Sequence, residues 1–509
     1  MQRTQAITIS SFSIGSPTRK LSVASTAGLG AFSLMLKRFN VSDQLHFAEL
    51  SGDYNPIHVD ADHARRTVAG TLVVHGIHLL LWALDTFAAE RAASDEIKNL
   101  QVQFSRFVHV GELAEVQVSR ETDKAFQLRI TAGGLLRALI TLTIGPEDPA
   151  PVPAPAEGAQ SHTPSRPIDW PIAEWVAKQG IVPFAKDAAT VASAFPAAAR
   201  WLGASRLAGL ATTTRLVGMV LPGLHSIYVG LNLRFHASGA EVSAIRFHVD
   251  EPRHGLLTLQ VAGAGLVGSV QCVARAAPVA QPRMVDLLEK VGRADYAGAT
   301  ILVVGGSRGL GELVAKLLAA GGADVTISYS RGRDDAEAVA TEIRKAGSMC
   351  RTMHFTVQEP AAPQLAAVDC AFDYIYYFAA PTIARPNSAF FDGDRLADLQ
   401  AYFVGGLWNL ASAIRHQKGG ATLFYPSTTF LDDRPGGMAE YVMAKAAGEL
   451  LCDEINRTMS PLRIVSRRLP PIATDQTAGL TGLAPAVDTI LPIIAAVQRG
   501  SEPALTTTR

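Results

Sequence analysis

The residues best equipped for chemistry lie in one string, Leu50-Ser51-Gly52-Asp53-Tyr54-Asn55-Pro56-Ile57-His58-Val59-Asp60. It gathers a carboxylate, a carboxamide and an imidazole into six residues, Asp53 to His58. A carboxylate beside a histidine is what proton transfer next to a carbonyl needs. Asn55-Pro56 breaks a helix here, because the residue before proline is pushed out of the helical region and proline lacks an N–H donor. Asp53 and His58 are therefore expected on a fixed irregular loop that aims both into one cavity, with Asn55 positioning the substrate. Downstream, Val73-Val74-His75-Gly76-Ile77-His78-Leu79-Leu80 begins an apolar run that reads as a buried helix. The N–H of Gly76 falls near that helix's positive N-terminus, where an oxygen gaining negative charge is stabilised.

A second set of candidates lies far along the chain. Ala299-Thr300-Ile301-Leu302-Val303-Val304 reads as a continuous buried strand, followed by Gly305-Gly306-Ser307-Arg308-Gly309-Leu310-Gly311 and a helix start over Glu312–Leu318. Strand, glycine turn and helix together are the setting a dinucleotide fingerprint requires. Glycines let the backbone approach a pyrophosphate, and the helix N-terminus receives its charge. The next strand, Asp324–Tyr329, ends at Ser330-Arg331, where a carboxylate would bind an NAD ribose. Arg331 stands there instead, with Arg308 inside the glycine turn. Two cations and no acid suit a 2′-phosphate, so NADP(H) is expected over NAD(H). Further on, the strand Ala421–Tyr425 leads to Pro426-Ser427-Thr428-Thr429 and then to Tyr441-Val442-Met443-Ala444-Lys445. Tyr441 and Lys445, at i and i+4, share a helix face. A lysine charge favours the phenolate, so the tyrosine can exchange a proton with a carbinol oxygen. A hydroxyl from the preceding strand end, Thr428 or Ser427, would hold the same oxygen.

Several elements must position these groups. Residues 59–70 and 75–92 read as helical. Leu100–Phe104, Ala114–Val118, Phe126–Ile130 and Ala138–Leu142 alternate apolar with polar residues, which means an antiparallel sheet with one buried face. Residues 148–168 form a proline-rich, extended connector. Residues 169–282 repeat the pattern without its chemistry: an apolar helical region over 188–220, then strand patterns at Ile227–Phe235, Glu241–Val249, Gly255–Ala262 and Gly265–Ala274. Ser205 and His225 are candidates there to line a tunnel, with a structural role the favoured reading. The first 42 residues contain no Asp or Glu and hold Arg3, Arg19, Lys20, Lys37 and Arg38 among many Ser and Thr. That composition is transit-peptide-like, and a disordered leader over 1–32, or a start codon placed too far upstream, is the preferred reading.

The run from about Phe39 to Leu81, with Phe47-Ala48-Glu49-Leu50 before the motif and Val74-His75-Gly76 after it, resembles the MaoC-like (R)-specific enoyl-CoA hydratases and dehydratases. The resemblance implies a hot-dog fold, a catalytic pair at Asp53 and His58, and an oxyanion-binding N–H at Gly76. Two such units, one catalytic, would resemble the double hot-dog hydratases. Residues 297–480 resemble the short-chain dehydrogenase/reductases. That resemblance implies a catalytic tyrosine and lysine at Tyr441 and Lys445, with the serine position falling on Thr428 and Ser427 one residue earlier. Pro470-Pro471-Ile472-Ala473-Thr474 keeps the pattern of the nicotinamide-side loop, and Ala379 lies in the stretch after the fourth strand. This sequence departs from the family at Val304, at Phe378-Ala379-Ala380, at Thr356, and at Tyr402–Gly406, where the family's relay asparagine is missing.

The 509 residues suit two to four domains, and 48% hydrophobic against 18% charged residues permit large cores. Lys+Arg and Asp+Glu are equal at 46, so no overall basic field draws nucleic acid. Cys272, Cys350, Cys370 and Cys452 lack metal-type spacing and read as reduced thiols of a cytoplasmic protein; no metal is expected. No uninterrupted run is long enough to span a bilayer. The expected architecture is an α+β double hot-dog (33–147 catalytic, 169–282 not) followed by an α/β Rossmann-like doubly wound parallel sheet over 296–509. The expected function is bifunctional: NADPH-dependent 3-oxoacyl reduction and (R)-3-hydroxyacyl dehydration on acyl-CoA or acyl-carrier-protein thioesters, in a homo-oligomer. A degradative hydratase/NAD-linked dehydrogenase and a hydratase with an inactive reductase domain are the alternatives.

Overall fold

A computed structural model describes residues 18–22, 33–67, 69–91, 96–150, 152, 160–171, 174–175, 178–236, 243–250, 256–368, 371–383, 391–415, 417, 420–477 and 482–499. Most of the expected leader, part of the proline-rich connector and Cys370 lie outside them. The chain folds as two compact units, residues 1–65 with 69–276, and residues 66–68 with 277–509. The division at 276/277 falls close to 282, the expected end of the second hot-dog-like region.

The first unit holds β1 (Thr18–Ser22), β2 (Ser33–Arg38), β3 (Ile97–Phe104), β4 (Leu113–Thr122), β5 (Ala125–Ala132), β6 (Leu135–Ile144), β7 (Gln179–Pro183), β8 (Ser226–Phe235), β9 (Ala244–Val249), β10 (Leu256–Gly263) and β11 (Leu266–Ala274). All eleven join one sheet in the order β1-β2-β4-β5-β6-β3-β8-β11-β10-β9-β7. Leaving β1 aside, each half reads inward in the same order: first strand, third, fourth, fifth, second. The halves meet where β3 pairs antiparallel with β8, with Leu100 opposite Leu233 and Val102 opposite Leu231. Each half also carries a helix between its first and second strands, Gly76–Ala89 in one and Ala204–Arg215 in the other.

Sequence explains why these helices sit inside. Ten of the fourteen residues of Gly76–Ala89 are buried, Leu79, Leu80, Leu81 and Trp82 among them. A helix apolar on all sides has no solvent face to offer and must be wrapped. Each such side chain stabilises the unit by about 1.5–3 kcal/mol when fully buried. The strands β5 and β6 bury alternate residues, Phe126, Leu128 and Ile130 from the one and Ala138, Ile140 and Leu142 from the other, as period-two patterning requires. The expected helix over 59–70 is replaced by two single turns, Pro56–Val59 and Ala61–Ala64. Asp60 separates them in extended conformation (φ −121°, ψ 106°) and caps the second turn through Asp62 and His63 N–H. Pro56 does not end a helix; it opens a turn, at the first position where its missing N–H is not needed.

The second unit is a six-stranded parallel sheet of β12 (Thr300–Val304), β13 (Asp324–Tyr329), β14 (Cys350–His354), β15 (Tyr374–Tyr377), β16 (Thr422–Thr428) and β17 (Arg463–Leu469). The order is β14-β13-β12-β15-β16-β17. It reverses direction between β12 and β15, the place where doubly wound sheets bind ligands. Ile301 and Val303 pack to one core and Leu302 and Val304 to another, so both faces of the sheet are covered.

Candidate active sites

In the first unit, Asp53, His58 and Gly76 line one cavity. The helix Val41–Ser51 ends at Gly52 in the left-handed region (φ 76°), and the chain turns sharply into Asp53. Asp53 is 1% exposed. Its Oδ1 accepts from the Asn55 N–H at 3.1 Å and its Oδ2 accepts from the Thr214 hydroxyl at 2.7 Å. Burial raises the carboxyl to about 6, against the pull of those two donors.

His58 stands on the turn Pro56–Val59, partly open to the cavity. Its Nδ1 lies 2.9 Å from the Val73 carbonyl. A carbonyl only accepts, so Nδ1 carries the hydrogen and Nε2 is left with a lone pair. Burial, with the Val73 bond opposing it, lowers this imidazole to about 4. The ring stacks on His75 at 3.8 Å between centroids, 21° from parallel. His75 is fully buried: its Nδ1 lies 2.9 Å from Gln44 Oε1 and its Nε2 lies 3.1 Å from the Asp53 carbonyl. Asp53, His58 and His75 each bring one ligand-type atom within 4.8 Å of the others. His58 Nδ1 and both His75 nitrogens already face oxygen partners, which leaves His58 Nε2 as the imidazole nitrogen of this cluster with no hydrogen-bond partner among the described residues.

Gly76 opens its helix, and no side chain caps that N-terminus. The first amides of a helix lack internal acceptors, and Gly76 lines the cavity. A Cβ there would stand 3.1 Å from the Phe104 ring. Asn55, expected to position the substrate, turns its side chain to backbone groups. Its Nδ2 donates to the carbonyls of Gly218 at 2.9 Å and Gly223 at 3.1 Å, and its Oδ1 accepts from Ile57 N–H at 3.3 Å. Its polar groups are spent on backbone, so it fixes the loop. Neither Ser205 nor His225 lines the cavity; His225 lies 3.6 Å from Asp169.

Gln44, His75, Thr214 and Gly218 escaped the sequence reading. Thr214 left one trace, the run Thr212-Thr213-Thr214 inside an apolar helix, where β-branched hydroxyl residues are poor formers.

In the second unit the glycine turn follows β12. Gly305 (φ 81°) and Gly309 (φ 59°) take left-handed conformations, and a Cβ on Gly311 would stand 2.2 Å from the Gly305 carbonyl oxygen. Such a bare cradle, ending at the N-terminus of Gly309–Ala320, fits a nucleotide pyrophosphate. Ser307 and Leu310 belong to the same turn, and Ala379 packs against it, its N 2.8 Å from a Cβ built on Gly305. Thr474 faces Gly309 across the turn. Arg331 is exposed at the end of β13. Arg308, the other expected cation, pairs with Asp475 at 3.4 Å.

Tyr441 and Lys445 share a face of the helix Ala439–Thr458, as their spacing requires. Thr428 ends β16, its Oγ1 accepting from the Phe430 N–H at 3.2 Å, and burial weakens the acidity of the Tyr441 hydroxyl to about 12, with the nearby Thr428 hydroxyl opposing. The Ser427 hydroxyl lies toward Glu449, not in hydrogen-bond geometry. Lys445 is buried; its Nζ donates to the Pro426 carbonyl at 2.6 Å and stands 4.0 Å over the Phe403 ring and 4.6 Å over the Tyr425 ring. Burial lowers this ammonium to about 7. The same Nζ stands 6.0 Å from the Tyr441 ring centroid. Phe403 belongs to the π-turn Ala401–Gly406, the stretch in which the relay asparagine is missing.

The comparisons with known proteins fall on these two regions. The family described as MaoC like domain matches residues 24–134, and the family described as short chain dehydrogenase matches residues 299–481. A 3-hydroxybutyryl-CoA dehydratase of Methylorubrum extorquens is 33% identical over 93 residues, 18% of this chain and 58% of that protein. A 3-oxoacyl-(acyl-carrier-protein) reductase of Aggregatibacter actinomycetemcomitans is 39% identical over 70 residues, 13% of this chain and 29% of that protein. The chain thus spans 58% and 29% of the lengths of these two relatives. Among solved structures, a short chain dehydrogenase from Burkholderia cenocepacia in complex with NADP is 23% identical, with 40% of this chain and 91% of that one covered at a TM-score of 0.36. A dehydrogenase/reductase from Sinorhizobium meliloti is 20% identical, with 41% and 92% covered at a TM-score of 0.37. Among the described residues no helix is long and apolar enough to cross a membrane.

Proposed function

We propose, for a chain that joins a MaoC-like dehydratase domain to a short-chain dehydrogenase domain, that it carries out two consecutive steps on one acyl thioester. A 3-oxoacyl thioester is reduced at Tyr441 to the (R)-3-hydroxyacyl thioester, which is dehydrated at Asp53 and His58 to the trans-2-enoyl thioester. The observation that carries this reading is the cavity shared by Asp53, His58 and Gly76.

In dehydration, His58 Nε2 takes the α-proton, since its Nδ1 is committed to Val73. The Gly76 N–H holds the thioester oxygen as it gains charge. Asp53, raised to about 6, gives its proton to the departing hydroxyl, which leaves as water. His58 then returns the α-proton to the Asp53 carboxylate, directly or through solvent, and the pair is reset. Hydration runs the same steps backward. Two hot-dog units sharing one sheet fit this reading: the strand order repeats, and the second half closes the cavity with Thr214, Gly218, Ser226 and Tyr228.

In reduction, the glycine turn Gly305–Gly311 would hold a nicotinamide dinucleotide, NADPH in this reading, which when bound would supply hydride for the carbonyl carbon. Tyr441 delivers its hydroxyl proton to the carbonyl oxygen, which the Thr428 hydroxyl also holds. Arg331 favours NADPH by its placement after β13. The thiols Cys272, Cys350 and Cys452 are free, in keeping with a cytoplasmic protein. One observation favours a second reading, a hydratase whose second unit binds cofactor but reduces slowly: Phe403 lies under Lys445, in the π-turn that lacks the relay asparagine.

The test is a spectrophotometric assay of both half-reactions on the purified chain, with acetoacetyl-CoA and crotonyl-CoA as substrates. The proposal expects crotonyl-CoA hydration and NADPH-dependent acetoacetyl-CoA reduction. Hydration alone, with cofactor bound, selects the second reading. Turnover of NADH at least tenfold better than NADPH selects the degradative direction. Absence of hydration overturns the assignment of the first site.

A further inference from the structure

We propose that Thr214 is a positioning residue of the dehydratase site, and that the half of the sheet without the catalytic pair holds the acid in place through it. The inference rests on the reading of Asp53 as the acid. Thr212, Thr213 and Thr214 follow one another on a buried helix. Thr212 returns its hydroxyl to the Ala208 carbonyl at 2.8 Å and Thr213 to the Leu210 carbonyl at 2.7 Å, the usual local solution for such residues. Thr214 instead reaches out of its helix to Asp53 Oδ2 at 2.7 Å, across 161 residues of sequence.

The segment beyond Thr214 completes the hold. The helix widens into a π-turn at Leu216–Val220, closed by Leu221 N–H to the Leu216 carbonyl at 2.8 Å. Such a turn releases carbonyls from the regular ladder, and the Gly218 carbonyl accepts from Asn55 Nδ2 at 2.9 Å. Gly218 also lies against the acid itself: a Cβ there would stand 2.2 Å from Asp53 Oδ1. One carboxylate oxygen is thus gripped by a hydroxyl, and the other is pressed between the Asn55 N–H and a bare backbone. The titratable and charged groups around Asp53 are His58 on its turn, His75 at the start of the next helix, Arg106 after β3, Tyr228 on β8 and Arg215 beside Gly52. Among the influences on the Asp53 carboxyl, those that oppose burial are the two hydrogen bonds, from Thr214 and from the Asn55 amide.

A hydroxyl donated to a carboxylate favours the charged form. Thr214→Val keeps the shape and removes the donor. The Asp53 midpoint, read from the carboxylic-acid band in infrared difference spectra against Asp53→Asn, is expected to rise by about one pH unit. The upper limb of the crotonyl-CoA hydration profile is expected to rise with it, kcat to fall about tenfold, and KM to move less than twofold. Thr214→Ser restores the hydroxyl and is expected to restore both midpoint and limb. Should valine prevent folding, Thr214→Ala removes the donor without added bulk and is read the same way. An unmoved infrared midpoint in the valine or alanine protein overturns the proposal, as does a serine protein that behaves like valine. The infrared titration needs no turnover: a chain that fails to hydrate crotonyl-CoA but shows the shift contradicts the functional reading and leaves the Thr214 contact standing.

Discussion

In the first half of the eleven-stranded sheet, the central helix begins at the cavity: Gly76 presents the uncapped N-terminus of Gly76–Ala89. In the second half the corresponding helix ends there, at Thr214 and the π-turn Leu216–Val220. The two halves share strand order, and at the cavity they offer opposite ends of a helix dipole. An N-terminus supplies N–H donors and positive potential, suited to an oxygen that gains charge. A C-terminus supplies carbonyl acceptors, suited to an amide such as Asn55, whose Nδ2 donates to Gly218 and Gly223. The lesson is that one frame yields a reacting half and a holding half, according to which helix end faces the shared space.

Substitutions that treat the halves alike are expected to give unlike results. His58→Ala removes the base and is expected to lower crotonyl-CoA hydration by about 10²–10⁴-fold, whereas His225→Ala, which removes an imidazole of the other half, is expected to change it less than about twofold. Equal losses in steady-state kcat/KM would erase the distinction. Gly218→Ala places a methyl group in the space of Asp53 Oδ1. A displacement of that size is expected to reduce kcat about 100-fold while the chain stays folded by circular dichroism.

The pH profile sharpens the comparison further. Asp53 lies near 6 and His58 near 4, so between those values the pair holds one proton, on Asp53. Loss of that proton above about 6 and addition of a second below about 4 both remove the reacting form. Hydration kcat/KM is expected to fall tenfold per unit outside this window, in both reaction directions, because both start from the same count of protons. A profile flat from 5 to 8 would contradict the assignment. The smallest effect falls on the seam. Leu231 is buried on β8 opposite Val102, and Leu231→Ala is expected to destabilise the first unit by about 2–5 kcal/mol in denaturant titrations. Fluorescence probes in the two halves should report the same midpoint; separate midpoints would show halves that fold independently.

Much of this was legible in residue order. The glycine turn after an apolar strand and the Tyr441/Lys445 spacing are local patterns, and local patterns survive in sequence. The period-two strands of both halves were legible for the same reason. The helix over 59–70 was misread because Asp60, one extended residue that caps the next turn, interrupts a helical composition. The backbone bonds of Asn55 are invisible in sequence because its partners, the Gly218 and Gly223 carbonyls, lie more than 160 positions away. Thr214 is hidden for the same reason. The pairing of Arg308 with Asp475 has no trace in sequence because the two lie 167 positions apart. Chemistry held by long-range backbone contacts leaves almost no periodic trace.

The most direct measurement crosses two variants with two assays. Asp53→Asn is expected to abolish crotonyl-CoA hydration and leave NADPH-dependent acetoacetyl-CoA reduction at its starting rate, and Tyr441→Phe to do the reverse. Hydration that persists in Asp53→Asn at the rate of the unaltered chain would contradict the account at its centre.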